Sequence, residues 1–187
     1  MSPKTLGAAK SVNPVLWITR TAIFVALLIA LQHVTRPMGQ FVTGSVVNLI
    51  LAVSVMTCGR MSGLTVAAVS PVMAAFLGIA PNWIIVPFIA VGNMAYVVLW
   101  HLIGNLGGGR MLAYIAALVT AAAAKFLVLY IGVARIAIPL FMTLNEQQAA
   151  NMSRMFSYPQ LVTALIGGAL AVCIFPPLNK ALAARRG

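Results

Sequence analysis

The sequence predicts an all-α integral membrane protein, a six-transmembrane-helix bundle with both termini cytoplasmic. Three observations carry that expectation: the composition, the spacing of the apolar runs and the placing of the cations. Of the 187 residues, 62% are hydrophobic and 7% charged, against roughly 45–50% and 25% in soluble domains. A water-soluble fold of this size would lack the polar surface to cover itself. Disorder is excluded for the opposite reason, because so apolar a chain does not stay unfolded.

A spanning helix needs about 20 mainly apolar residues, and six segments qualify in order. The first, 16–34, follows Lys4, Lys10 and Arg20. It outruns the apolar part of a secretory leader, and no clean small-x-small cleavage site follows, so a retained helix is expected. Arg36, Pro37 and Gly39 supply the turn into the second, 41–58. Gly59 and Arg60 separate it from the third, 62–80, in which Pro71 should kink the helix. Pro81 and Asn82 precede the fourth, 83–103, whose Pro87 sits near its start, where proline is tolerated. Gly104 to Arg110 lead into the fifth, 111–134.

The stretch 135–157 is the most polar. Thr143 and Glu146 have the spacing of a capping box, which favours a short helix over Gln147 to Phe156 on one membrane face against an unstructured loop. The sixth segment, 158–178, closes the membrane domain. The organisation is thus a cytoplasmic segment 1–15, a membrane domain 16–178 and a cytoplasmic basic tail 179–187.

Orientation follows from the cations. With the N-terminus inside, the cytoplasmic side receives Lys4, Lys10, Arg20, Arg60, Arg110, Lys180, Arg185 and Arg186. The outside receives Arg36, Arg135 and Arg154, and eight against three agrees with the positive-inside bias. The cations stand singly between apolar runs, without the clustering and interleaved aromatics of a nucleic-acid surface. Lys125 is left within the fifth span, about 22 Å along the helix from Arg110. It either snorkels outward or, as intramembrane ionisable groups usually do, lines a polar cavity; the pocket is favoured.

Chemistry is limited by the inventory. Glu146 is the only acid, set against 12 Lys and Arg. No paired carboxylates, acidic metal cage or Ser/His/acid set can be assembled, and His33 and His101 fall near opposite ends of the bundle. Catalytic residues, metal ligands and cofactors are therefore expected to be absent. Cys58 and Cys173 are read as packing residues. Proton coupling through intramembrane acids is excluded, and no phosphate-binding P-loop is present.

Binding groups gather in the outer half. The second span carries Gln40, Phe41, Gly44, Ser45 and Asn48, with 41, 44, 45 and 48 on one helical face. Such a stripe either lets a helix approach closely or leaves room for a solute, and Asn48 needs a hydrogen-bond partner. The fourth span adds Trp83, as interface belt or pocket wall, and Asn93. With Lys125 and Arg36 these suit a small polar, anionic ligand. Ala22, Ala26 and Ala30 recur every four residues on the first span, a ridge for close contact inside the bundle or with another protein.

The run 20–32, with Arg20, Ala22, Ala26, Ala30 and Gln32, resembles the first helix of the substrate-binding S components of energy-coupling factor (ECF) vitamin transporters. So do 43–48, ending on Asn48, and 158–168, from Tyr158 through Thr163 to Gly168. The length and six spans fit nearly the whole chain. The resemblance implies a subunit that captures a vitamin or related micronutrient from outside. Its implied partners are a transmembrane coupling protein and two ATP-binding cassette ATPases, in a bacterial plasma membrane. It assigns Ala22, Ala26 and Ala30 to the coupling protein and puts the pocket beneath the connections 35–40 and 80–82 and the segment 135–157. Arg36, Gln40, Ser45, Asn48, Trp83, Asn93 and Lys125 are the expected substrate-binding residues, and pantothenate ranks first because its carboxylate suits Lys125 with Arg36, neither of which has an acidic partner nearby. The competing readings are an oligomeric small-solute channel or facilitator, and a non-transporting membrane scaffold.

Overall fold

A computed structural model describes residues 14–106 and 110–184. Lys4, Lys10, Arg185 and Arg186, most of the expected N-terminal segment and part of the turn before Arg110 lie outside them. Among the described residues there is no strand. The helices are α1 (Pro14–Thr35), α2 (Gln40–Cys58), α3 (Arg60–Phe76), α4 (Val86–Leu106), α5 (Met111–Leu129), α6 (Ile138–Phe141), α7 (Glu146–Met155) and α8 (Tyr158–Ala184). Short 3₁₀ turns at Arg36–Met38 and Trp83–Ile85 lead into α2 and α4. We call the end of the bundle carrying these turns and α7 the upper end, and the end carrying Gly59 and Arg110 the lower.

Glycine sets two of the reversals. Gly39 and Gly59 take φ of 87° and 84°, a region that side chains with a Cβ rarely enter, and Gly59 alone joins α2 to α3.

Three boundaries differ from the expected ones. The third apolar segment was expected to run to residue 80, but α3 ends at Phe76. Gly78, at φ 67°, turns the chain there, and the Ile79 amide folds back to the Ala74 carbonyl at 2.8 Å. The fifth segment was expected to end near 134. Instead α5 passes into a π-helical stretch, Tyr130–Ala137, and on into α6. Arg135 does not break the helix because its guanidinium turns back onto the Tyr130 hydroxyl at 2.7 Å. Finally, α8 runs on to Ala184 with Pro176 and Pro177 inside it, so the expected tail is helical over 179–184.

The short helix α7 has its own correction. Its cap is Asn145, not Thr143. The Asn145 side chain accepts from the Gln148 amide at 2.8 Å, and Gln148 Oε1 accepts from the Asn145 amide at 3.2 Å. Asn145→Ala should cost about 1 kcal/mol of local stability. Amide exchange at residues 146–149 should then accelerate with the rest of the bundle unchanged; protection identical to wild type would refute the cap.

In lipid there is no hydrophobic drive between helices, so close packing of small residues holds the bundle. Ala117, Ala121 and Ala122 are fully buried on α5, in one core with Tyr96 and Trp100 of α4. α2 packs along α8 and also meets α1, α3 and α4; α1 packs mainly on α2 and α3. A smaller cluster of Ile85, Leu129, Val133, Ala137 and Phe156 closes the upper end. Outward faces are apolar, with Ile18, Ile23, Val119, Leu127, Ile166 and Leu170 exposed. Cys173 is exposed on the outer face of α8 and does not fill the interior as expected.

Pro14–Met38, Gln40–Cys58, Trp83–Leu106, Met111–Phe141 and Glu146–Leu178 are long and apolar enough to cross a membrane, while Arg60–Phe76 is shorter. A multi-pass membrane protein is the architecture that satisfies these surfaces.

Candidate functional site

A cavity of about 360 Å³ opens at the upper end between α1, α2, α3, α4, α5 and the start of α8. Its floor is built by three helices. Asn48 lies about 12 Å below Gln40 on α2, Asn93 lies in the upper half of α4, and Lys125 comes up α5 to meet them; each is buried. Lys125 Nζ donates to Asn48 Oδ1 at 2.6 Å. Asn48 Nδ2 donates to the Gly44 carbonyl at 2.8 Å and faces Thr163 Oγ1 at 3.4 Å. Both ends of the Asn48 amide are thus engaged within the protein, the oxygen by Lys125.

An ammonium has three N–H donors, and the only side-chain acceptor recorded for Lys125 among the described residues is Asn48. The Tyr96 ring lies below it, with its centroid 5.7 Å from Nζ, a cation–π separation. The chain's one acid, Glu146, is exposed on α7. Asn93 Oδ1 is buried without a hydrogen-bond partner, which a native fold seldom leaves unexplained.

Of the seven residues expected to bind substrate, Arg36, Gln40, Asn48, Asn93 and Lys125 line this one cavity. Ser45 and Trp83 do not. Ser45 is turned about 100° from Gly44 around the helix, its hydroxyl donates to the Phe41 carbonyl at 2.6 Å, and its own carbonyl faces Gly167 of α8. The side of α2 that meets the cavity therefore runs through Gln40, Thr43, Gly44, Val47 and Asn48. Trp83 is 53% exposed, edge-on to Phe76 at 4.9 Å, the position of an interface-belt aromatic.

Sequence reasoning missed Gln32, Phe156 and Gln160 as lining residues. Gln32 and Gln160 are polar side chains in the terminal turns of two spans that meet at the upper end. At the mouth, the side-chain amides of Gln40 and Gln160 both donate to the Met155 carbonyl, the latter at 3.0 Å. They tie α2 and α8 to the corner between α7 and α8. The two histidines are apart as expected: His33 is exposed near the upper end of α1. His101 lines a smaller cavity of about 150 Å³ at the lower end with Asn105, Tyr114 and Phe175.

Ala22, Ala26 and Ala30 are all exposed along α1, so the ridge is not consumed by packing inside the bundle.

Comparison with known proteins agrees with this architecture. No curated protein and no solved structure matches the chain. The family described as "ECF transporter, substrate-specific component" matches residues 17–179, a range that holds every residue lining the cavity. The chain belongs to that family, the substrate-specific membrane components of ECF transporters, which bind their ligand and are not enzymes.

Proposed function

We infer that the protein captures a small anionic micronutrient from outside the cell for an ATP-driven uptake complex, with pantothenate the first candidate. The observation that carries this reading is Lys125: a buried amine at the floor of an open cavity, held by Asn48, with no carboxylate set against it. A buried charge needs a partner, and a ligand carboxylate is one.

In this reading the chain crosses a bacterial plasma membrane six times with both termini cytoplasmic. α3 serves as the remaining span; its 17 residues reach about 25 Å, close to the hydrocarbon thickness. Arg60 and Arg110 then face the cytoplasm at the lower end, and Arg36, Arg135 and Arg154 face outward. ECF S components work with a transmembrane coupling protein and ABC ATPases. The exposed Ala22, Ala26 and Ala30 ridge is the surface on which the coupling protein would dock, because small residues let two helices come close in lipid.

Affinity purification of the full chain from its host, with mass spectrometry of the proteins and small molecules retained, tests the reading directly. The coupling protein, two ATPases and a carboxylate are expected. Ala26→Leu should cut recovery of the partners about tenfold or more, since an overpacked helix contact costs about 1–3 kcal/mol, while ligand recovery stays unchanged. Full recovery from Ala26→Leu would remove the ridge from the interface. Wild-type purification without partners would favour an oligomeric channel or a scaffold.

A further inference from the structure

We propose that the cavity takes an aliphatic carboxylate, bound carboxylate-down on Lys125, rather than one built on a planar aromatic ring. This rests on reading the cavity as the ligand site, and it narrows what that site accepts.

The lower pole fixes the orientation. Lys125 has one recorded hydrogen-bond acceptor, Asn48 Oδ1, and its remaining N–H groups suit an acceptor-only, charged group such as a carboxylate. Asn48 has no N–H left for that group, because the two on its amide nitrogen are directed at the Gly44 carbonyl and the Thr163 hydroxyl. The ammonium is the feature that distinguishes an acid from its neutral analogue here.

The walls fix the body. Among the described residues that line the cavity, Phe156 is the one aromatic. The rest of the waist is aliphatic, with Val47, Pro71, Ala74, Ile89 and Leu129. Flat rings gain from offset or edge-on contact with other rings, and Phe156 is the one ring this lining offers. This chain has such side chains at hand and keeps them out of the cavity. Tyr96 and Trp100 are buried against each other with centroids 5.4 Å apart. They pack below the floor, where the Tyr96 hydroxyl and the Trp100 ring meet Gly168 of α8. A rounded aliphatic body fills an aliphatic waist without leaving a ring face unpaired.

The mouth completes the pattern. Gln32, Gln40 and Gln160 stand there beside Arg36; the Gln40 and Gln160 nitrogens are held by the Met155 carbonyl, so their oxygens are turned to accept from hydroxyl or amide groups at the far end of the ligand.

The test uses purified full-length protein in lipid nanodiscs, freed of co-purified ligand, and isothermal calorimetry with two probe sets. The aliphatic set is pantothenate, mevalonate and hexanoate, with pantothenol as the neutral counterpart of the first. The aromatic set is 4-aminohippurate, nicotinate and folate. At least one aliphatic acid should bind about tenfold or more tightly than every aromatic one, the scale of a misfitting shape. Pantothenol should bind at least about thirtyfold more weakly than pantothenate, the scale of an unpaired buried charge. An aromatic acid binding as tightly as the best aliphatic one would overturn the proposal and leave the cavity as the ligand site. Pantothenol equalling pantothenate would overturn the carboxylate-down orientation. Silence from both sets would overturn the proposal together with the site reading on which it rests.

Discussion

Lys125→Met should abolish ligand binding and leave the empty protein as stable as wild type, or more so. The two effects have one cause. Lys125 is 3% exposed, and its ammonium is paired with an amide oxygen rather than an acid. Burying a charge without a counter-ion is unfavourable, and replacing buried ionic groups by well-packed apolar ones is often neutral or stabilising by about 1–4 kcal/mol. Methionine fills similar space and adapts to irregular surroundings. It strands Asn48 Oδ1, but that residue lines an open cavity in which water can take the lost partner's place. Thermal unfolding without ligand should therefore shift upward or not at all. With ligand the order reverses, because the carboxylate loses the buried ammonium it is bound to, a loss of about 2–5 kcal/mol, or thirtyfold and more in affinity. Calorimetry on the protein used for unfolding checks both halves. Unchanged affinity would return Lys125 to a snorkelling role, and destabilisation beyond about 2 kcal/mol would make it structural.

That lysine was legible in the sequence because a lone cation inside an apolar run conflicts with everything else in the run. Asn48 and Asn93 stood out for the same reason, and all three reach one cavity. Legibility failed where a face had to be chosen. A spacing of three and four residues groups 41, 44, 45 and 48, yet it does not say which edge of the stripe meets a neighbour. Ser45 went to α8 and Gly44 to the cavity, a difference of one step around the helix. It also failed at segment ends. Arg135 reads as the end of a span, but the Tyr130 hydroxyl one turn earlier takes up its guanidinium and the helix continues. Thr143 and Asn145 both offer a side-chain oxygen in front of a helix, and which of them caps depends on where the chain leaves α6. Gln32 and Gln160 hold no such ambiguity; polar residues near span ends are simply too common to single out before the helices are assembled.

Gly167→Ala should lose stability and affinity together, the opposite signature to Lys125→Met. A Cβ at Gly167 would run into the carbonyl oxygen of Ser45 and come within 2.8 Å of the Leu49 amide nitrogen and the Asn48 Cβ. Two of these three atoms are α2 backbone, which cannot swing aside as a side-chain tip can. The helices must separate, and packing is what joins helices in lipid, so the cost should be about 3 kcal/mol, the upper range for overpacking. Separation would also move Asn48 away from Thr163, its neighbour across the same contact at 3.4 Å, and loosen the amide that orients Lys125. Gly104→Ala is the matching control. There an added Cβ meets only Tyr114 ring atoms, at 3.5 Å and beyond, and alanine is the better helix former by about 1 kcal/mol. Its stability should equal or exceed wild type. Unfolding and calorimetry on the two variants side by side decide the matter. If Gly167→Ala unfolds with wild type, the close α2–α8 contact is not what holds the floor of the cavity. If it is destabilised but binds normally, Asn48 orients Lys125 without help from α8.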